Sequence, residues 1–382
     1  MTPAQPLYVP VLRRKQGECQ GLSRLSDDIR AAITPCFVVP PPKDATPTLG
    51  RPPTPEEIVS GTGRQIGEYW RFREAYLDVR FLFKEFDGVS STWLPRMFNV
   101  AREHNAHLIP VATLSDLSGI HGTSFLDSLA VNCSNKIAIR ITADEFDDDL
   151  EARVSQVLSV TKLSPVDCAI FVDFGGSDFT DVSAVADIAQ AALEHLQMIG
   201  LWGKIVFQGT NYPTVNPAIE SQIAVVPRNE WLAWKAAVSF DASTAEHLLF
   251  GDFAADCAKF EFSQKGGGRA IRHYRYATPD SWLVVRGSEI GRDAEVMKAV
   301  SRNIVKHVDF AGRSFSSADE YIFQTSLGLA GPGNSTIWRE INTAHHITRV
   351  VRDIGKVKGM VFKEHQYTRQ PRQSDLFAST AT

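Results

Sequence analysis

The chain has 382 residues, of which 43% are hydrophobic and 22% are charged, and its formal net charge at pH 7 is -4. This composition is ordinary for a globular protein and argues against a disordered chain or a membrane protein. The slightly negative charge provides no basic field that would attract nucleic acid, so a nucleic-acid partner is not supported.

The cysteines and the amino terminus favour a location in the cytoplasm. The five cysteines are scattered singly, their number is odd and no CxxC pair occurs, which argues against a disulfide framework. Residues 1–12 lack a basic segment followed by a long apolar run, and no stretch approaches the roughly 18 apolar residues of a membrane span. We therefore expect no membrane partner.

Short apolar runs rich in Val, Ile and Phe alternate with stretches of helical periodicity, which is typical of a parallel sheet with helices between its strands. Eight such runs precede residue 255, at 7–13, 34–40, 75–82, 107–112, 136–142, 168–174, 204–208 and 247–251. Parallel strands with right-handed crossovers form either a closed barrel or an open sheet. The count of eight favours an α/β fold of the (β/α)8 TIM-like barrel type.

Between these runs, hydrophobic residues repeat at helical spacing. The clearest helices are predicted at 20–33, 91–104, 148–160 and 183–199. Residues 40–64 are rich in proline and glycine, which predicts a loop inserted in the barrel, either a lid or a solvated segment. The GTGRQIG stretch at 61–67 misses the spacing of a dinucleotide-binding motif and is also predicted to be loop.

The sequence after the eighth run predicts an extension of the barrel. Its predicted elements are strands at 270–277 and 281–287, joined by a Thr-Pro-Asp turn, and helices at 293–308, 317–328 and 336–354. We therefore divide the chain into a barrel over 1–260, a hairpin and helical extension over 261–360, and a disordered polar tail over 361–382.

The functional site of such a barrel lies at the carboxyl ends of the strands and in the loops that follow them. Charged or polar residues at or just after the predicted strand ends are Lys15, Glu18, Asp78, Arg80, Arg140, Asp173, Gln208 and Asp252. Asp78 and Arg80 are two positions apart and would share the inward face of the third strand. Arg140 and Asp173 stand in apolar runs, where a lone buried charge is costly, so we expect them to pair.

Two interpretations of these charges remain open. They form either a structural ion network that fills the barrel or a ligand site at its mouth. In the second case, Lys15 and Arg140 would hold an anionic group such as a phosphate ester. Glu18, Asp173 or Asp252 would then transfer a proton or bind a metal.

Two adjacent histidines, His345 and His346, lie in a predicted helix. Their side chains diverge by about 100°, so they cannot chelate one metal together. One is expected to point to the core or the site and the other away. The identity of any metal or cofactor stays open.

Four stretches of the chain resemble one known family. They are YVPVLRRKQGE at 8–18, FGDF at 250–253, the RY, W and RG positions of 275–287, and WREIN with HH at 338–346. Together they resemble the beta protein family of bacteria and their phages over almost the whole chain. The resemblance supports the fold and implies no particular reaction. It also implies an accessory role in a bacterial anti-phage defence system.

The family pattern adds candidate residues to those at the strand ends. It marks Lys15, Gly17, Glu18, Gly251, Asp252, Arg275, Tyr276, Trp282, Arg286, Trp338, Arg339, His345 and His346. The two sets agree at Lys15, Glu18 and Asp252. Cys19 and Gln20 depart from the pattern, because bulkier residues are expected after the Gly-Glu pair.

Two functional hypotheses follow. In the first, the barrel binds a nucleotide or phosphate ester and hydrolyses it, as a hydrolase or phosphodiesterase-like enzyme. Its predicted catalytic residues are Glu18, Asp173 and Asp252, and its predicted ligand contacts are Lys15, Asp78, Arg80, Arg140, Gln208, Tyr276, Arg286 and His345. In the second, the protein is a non-catalytic scaffold or interaction subunit of a defence complex, which docks through 270–287 and the helix around Trp231 and Trp234.

Overall fold

The computed structural model describes residues 6–42, 53–86, 90–132, 135–260 and 270–366. Eight parallel strands close into a barrel, and the last of them pairs with the first. These strands are β1 (Tyr8–Arg13), β2 (Cys36–Val38), β3 (Glu74–Asp78), β4 (His107–Thr113), β5 (Ile137–Thr142), β6 (Cys168–Asp173), β7 (Lys204–Gly209) and β9 (Leu248–Asp252). Each overlaps one predicted strand, and the (β/α)8 TIM-like barrel is confirmed.

Helices lie between the strands and after the barrel. They are α1 (Gln16–Ser23), α2 (Asp27–Ala31), α3 (Pro55–Tyr69), α4 (Ser90–Glu103), α5 (Leu114–Ser118), α6 (Gly122–Asn132), α7 (Leu150–Thr161), α8 (Val182–Ile199), α9 (Asn229–Val238), α10 (Ala242–His247), α11 (Asp293–Val305), α12 (Ser317–Leu327) and α13 (Ser335–Val357). α4, α7 and α8 lie where helices were predicted.

The predicted helix 20–33 is instead two short helices, α1 and α2. Ser26 lies between them in an extended conformation, and Asp27 and Asp28 begin α2. A serine followed by acidic residues is a helix-start signal, because carboxylates near a helix N-terminus interact favourably with the helix dipole. The continuous hydrophobic spacing concealed this internal boundary.

The loop predicted over 40–64 is wrong from Pro55 onward, where α3 begins. Thr54 and Glu57 form a capping box, and proline is favoured in the first turn because its missing N–H would have had no partner there. These residues are a helix start inside a proline-rich stretch. Residues 43–52 lie outside the described residues, so the rest of the prediction stays open.

The glycines of α3 serve close helix packing and not a loop, which corrects the interpretation of 61–67. A Cβ on Gly63 would stand 2.6 Å from the Ala101 backbone of α4. A contact that close requires a residue without a side chain. Glycine therefore appears here for a tertiary reason that its neighbours in sequence do not reveal.

Alternate residues of each barrel strand face the interior. The middle of the interior, or lumen, is lined by Val9, Val11, Cys36, Val38, Tyr76, Ile109, Val111, Ala138, Ala169, Phe171 and Val206. At the carboxyl ends, the inward positions change to Arg13, Asp78, Arg140, Asp173 and Gln208. The outward side chains pack under the surrounding helices.

A second sheet of three antiparallel strands follows the barrel, in the order β10, β11, β8. β10 (His273–Ala277) and β11 (Ser281–Arg286) form the predicted hairpin. β8 (Ile223–Pro227) pairs with β11 and was not predicted. Its partner lies far along the chain, so the pairing leaves no local signal in the sequence.

α13 connects the second sheet to the barrel, since it packs against α1, α12 and β10. Within the described ranges, no helix is both long enough and apolar enough to cross a membrane. Residues 361–366 form neither helix nor strand, and 367–382 lie outside the described residues. The division into domains and the disordered tail therefore stay predictions.

Candidate functional site

Asp78, Arg80, Arg140 and Asp173 form a group of ion pairs inside the carboxyl end of the barrel, which we call the lumen cluster. Arg140 Nη2 lies 2.5 Å from Asp78 Oδ2, and Arg140 Nε lies 3.2 Å from Asp173 Oδ2. Arg80 lies 3.4 Å from Asp78 and 3.8 Å from Asp173. The expected pairing of Arg140 with Asp173 is thus observed.

The lumen cluster contains two guanidinium groups and two carboxylates, so its charges balance. Burial alone would raise the pKa of Asp78, but the charges of Arg140 and Arg80 outweigh it and lower that pKa. β3 ends at Asp78, so Arg80 lies in the following turn and not on the strand, where its backbone N–H donates to Asp78 Oδ1 at 3.0 Å. The predicted shared strand face is wrong, although the two side chains do meet.

Gln208 lies on β7, directly beside Asp173 in the strand register. Its residue is 0% exposed, and neither its Oε1 nor its Nε2 has a hydrogen-bond partner among the described residues. A buried amide without partners costs about 1–3 kcal/mol. Gln208 is therefore a polar group that nothing in the surrounding packing explains.

A second group of ion pairs, which we call the rim cluster, consists of Arg13, Glu18, Asp256, Arg275 and Arg339. Asp256 pairs with all three arginines, and Arg275 and Arg339 each approach it to 2.7 Å. Glu18 accepts from Arg339 at 2.8 Å and from the backbone N–H of Arg13. The residues come from the end of β1, α1, the loop after β9, β10 and α13.

A cavity of about 270 Å³ opens beside the rim cluster. Its polar walls include Glu18, Asp256, His273, Arg275, Arg339 and Asn342, and its apolar walls include Phe253 and Trp338. Burial, with a smaller effect of the Arg275 charge, lowers the pKa of His273 to about 4, so this imidazole is neutral at pH 7. Among the described residues, the charged groups in the walls of this cavity are the guanidinium groups of Arg275 and Arg339 and the carboxylates of Glu18 and Asp256.

Asp252, a predicted catalytic residue, lies in the packing between the barrel and α13. Its carboxylate accepts from the Tyr8 hydroxyl and contacts His346 Nε2 at 2.7 Å, and all three side chains are buried. Burial lowers the pKa of His346 despite the opposing charge of Asp252. Both carboxylate oxygens of Asp252 are occupied, and the residue does not line the cavity of the rim cluster.

Tyr276 and His345, both predicted ligand contacts, meet at a different buried carboxylate, Asp319. The Tyr276 hydroxyl donates to Asp319 at 2.7 Å, and His345 Nδ1 lies 3.0 Å from the same carboxylate. The adjacent histidines diverge as expected, because His346 turns to Asp252, but both are buried, so the expectation that one points away from the core is wrong. Across the ranges that the structure describes, no group of three or more His, Cys, Asp or Glu side chains is arranged to hold a metal ion.

Lys15 and Arg286 lie outside the walls of the cavity. Lys15 is the N-cap residue of α1 and is partly exposed. Arg286 donates to the carbonyl of Ala218 at 3.1 Å and pairs with Glu289 at 2.5 Å, so it turns toward the segment before β8. The structure thus separates these two predicted anion contacts from Arg140 in the lumen.

The sequence predicted only some of the residues of the rim cluster. Sequence reasoning selected Glu18, and the family pattern marked Arg275 and Arg339, but Arg13 and Asp256 were missed as site residues. Arg13 ends the first predicted strand, so its position was a usable signal. Asp256 lies in a loop with no motif around it, so the sequence did not indicate that its carboxylate pairs with three arginines.

Comparison with known protein families identifies a match over most of the chain. The family model described as Beta protein matches residues 8–352. The match therefore includes every residue of both clusters. No protein with a curated description matches the chain.

Proposed function

The chain belongs to the Beta protein family, and on that premise we propose that it binds a small anionic ligand, of the nucleotide or phosphate-ester class, in the cavity of the rim cluster. The observation that supports the proposal is the pair of guanidinium groups, those of Arg275 and Arg339, in the walls of an open cavity of about 270 Å³. The cavity lies at the carboxyl end of the barrel, where ligands of such folds bind.

Arg275 and Arg339 are the ligand contacts that we propose. Asp256 holds both guanidinium groups, which reduces the conformational entropy that they would lose when they bind a phosphate. A guanidinium offers five donors in a planar fork, so hydrogen bonds to a phosphate can form beside those to Asp256. Trp338 and Phe253 provide apolar surface for the organic part of the ligand.

The geometry favours binding over hydrolysis. Glu18 and Asp256 both accept hydrogen bonds from arginines, so they orient cations and are poorly placed to take a proton from water. Asp173 is paired in the lumen cluster and Asp252 is enclosed by Tyr8 and His346. Hydrolysis by Glu18, Asp173 and Asp252 stays a prediction without such support.

The test is a calorimetric titration of the purified protein with inorganic phosphate and with a nucleoside monophosphate and diphosphate. Arg339 is the residue to change, because its side chain is 33% exposed and can be replaced with less disturbance than the buried Arg13. We expect Arg339→Gln to weaken binding at least about tenfold, the loss of one charge-assisted contact.

The matched control is Arg96→Gln, which removes an exposed arginine of α4 that pairs with Glu56 of α3 and does not line the cavity. It should leave the affinity unchanged. Equal affinities of Arg339→Gln and the unaltered protein, or no binding of any of the three phosphates, would contradict the proposal. Thermal melting of each variant shows whether it is folded.

We also propose the role in bacterial anti-phage defence that the family resemblance implies. The support is the resemblance and not the geometry. A plaque assay on cells that express the protein tests it, with Arg339→Gln compared with Arg96→Gln. Protection that is lost in the first variant and kept in the second would connect the cavity to the role, and equal plaque counts with and without the protein would refute it.

The alternative, a non-catalytic interaction subunit, is favoured by the edge strand β8. Ile223 and Val225 are 43% and 62% exposed on this strand, whereas Trp231 and Trp234, the predicted docking residues, are each 2% exposed. The predicted docking helix is therefore wrong, and β8 replaces it. Light scattering on the co-purified assembly tests this alternative. Val225→Lys should reduce the mass of the assembly, and an unchanged mass would exclude β8 as the docking surface.

A further inference from the structure

We propose a second binding site at the amino-terminal mouth of the barrel, for a small organic acid whose apolar body enters the lumen and whose carboxylate pairs with Lys204. The site lies at the opposite end of the barrel from both clusters. It is independent of the function proposed above.

A cavity of about 280 Å³ opens at this mouth. Its walls come from the amino-terminal halves of β3, β4, β5, β6 and β7, and its apolar side chains include Ile109, Ile137 and Ala169. A volume just below the usual range of ligand pockets suits a ligand smaller than a typical drug molecule. The walls are mostly apolar, so the ligand must be apolar over most of its surface.

Lys204 is the cation of this cavity. It is the first residue of β7 and shares a strand face with Val206 and Gln208, so its side chain points into the mouth. Among the described residues, no hydrogen bond or ion pair engages its ammonium group. Burial lowers the pKa of Lys204, and the charge of Glu74 opposes that shift only in part.

The nearest carboxylate is already engaged. Glu74 forms an ion pair with Lys136 at the edge of the same cavity. Asp167, the other acidic residue of the walls, accepts from the Ser164 hydroxyl at 2.7 Å. The positive charge of Lys204 therefore remains available to a ligand.

Tyr76 is a second polar group without a partner. Its side chain is buried on the lumen face of β3 and lines the cavity, and its hydroxyl makes no hydrogen bond within the described ranges. Burial raises the pKa of Tyr76, so the group is a neutral hydroxyl donor at pH 7. The hydroxyl oxygen is not sealed from the cavity, so it can donate a hydrogen bond to a water or to a ligand there.

The chemistry selects a monocarboxylate over a phosphate. One available ammonium group cannot compensate two negative charges, and a phosphate would lose strong hydration against the apolar side chains of Ile109 and Ala169. A carboxylate loses less hydration free energy, and the apolar body of a monocarboxylic acid is stabilised when it leaves water. Lys204 and the Tyr76 hydroxyl are the two donors that the cavity offers it.

The test is a ligand-observed NMR titration of the full chain with benzoate and with butyrate, up to about 10 mM, which covers the millimolar affinity expected for so few contacts. We expect saturable binding of at least one acid. Lys204→Met preserves the length of the side chain and should weaken binding about tenfold, and Tyr76→Phe should weaken it about threefold.

The control is Lys356→Met, which removes an exposed lysine of α13 paired with Asp353 and should leave binding unchanged. Lys204→Met should melt at or above the temperature of the unaltered protein, because its ammonium group has no partner to lose. Absence of saturable binding, equal affinities in Lys204→Met and the control, or inorganic phosphate that displaces the acid at equal concentration would each overturn the proposal.

Discussion

The lumen cluster and the rim cluster are both built from arginines and carboxylates and differ in their access to a cavity. In the lumen cluster, two arginines face two carboxylates inside the barrel. In the rim cluster, three arginines face two carboxylates beside a cavity. The lumen cluster holds its charges inside the barrel, whereas the rim cluster leaves Arg275 and Arg339 in the wall of an open cavity.

The two interpretations of the strand-end charges apply to different clusters. The lumen cluster has the form of a structural ion network, and the rim cluster has the form of a ligand site. Both occur at the same end of one barrel. We expect the two clusters to differ in their contribution to the unfolding free energy and in the pH dependence of that contribution.

The largest effect is expected for Arg140→Met in the lumen cluster. The change leaves Asp78 and Asp173 facing each other without their main counter-charge, which should cost about 3–5 kcal/mol of unfolding free energy. Urea unfolding at pH 7 measures it. Arg153→Met, which breaks an exposed pair with Asp147, should have no measurable effect. If the two variants have the same unfolding free energy, the lumen cluster does not stabilise the fold.

The next effect concerns acid stability and Asp78. Because its pKa in the folded protein is lowered, Asp78 stabilises the fold fully above the unfolded pKa of about 3.9. That contribution is lost as pH falls below this value toward the folded pKa. Asp78→Asn should therefore be less stable than the unaltered protein at pH 7, and the difference should shrink below pH 4 in urea titrations. A constant difference at all pH values would argue against the pKa shift.

Gln208→Leu should produce a smaller change of the opposite sign. Replacing an unpartnered buried amide by an apolar side chain is expected to raise the unfolding free energy by about 1 kcal/mol. Gln190→Leu on α8 is the control, since that amide bonds Glu194 at 3.1 Å. Destabilisation by Gln208→Leu would show that the Gln208 amide has a partner in solution.

A further effect, visible only on acidification, is expected for His273 in the rim cluster. Its folded pKa of about 4 lies below the unfolded value of about 6.5, so its contribution to stability is full above pH 6.5 and is lost progressively toward pH 4. When the pH is lowered from 7 to 5, the unfolding free energy of His273→Gln should therefore fall less than that of the unaltered protein. His107→Gln, at an exposed position, should follow the unaltered protein, and identical curves for all three would exclude the effect.

Much of the barrel was predictable because strand signals are local. The inward and outward alternation of β3 or β6 is present in five or six consecutive residues, and eight such runs with helices between them suggested the closed sheet. α3 was missed for the opposite reason. Its glycines are explained by a contact with α4, and that contact lies about forty residues away in sequence.

The candidate site was predictable only in part. Position at a strand end identified Glu18, Asp78, Arg140 and Asp173, since parallel strands bring their carboxyl ends together. It could not show that Asp252 is enclosed by Tyr8 and His346. Those two residues come from β1 and α13, and nothing local indicates that they converge.

The sequence by itself determined the eight strands, the hairpin and the presence of charges at the carboxyl ends, because alternation and strand-end position are properties of short segments. Only the tertiary structure decided which charges pair inside the lumen and which line the cavity at the rim. That division depends on Asp256, Arg275 and Arg339, which the fold brings to Arg13 from distant segments. Charge balance is a property of the assembled cluster and not of any one of its segments.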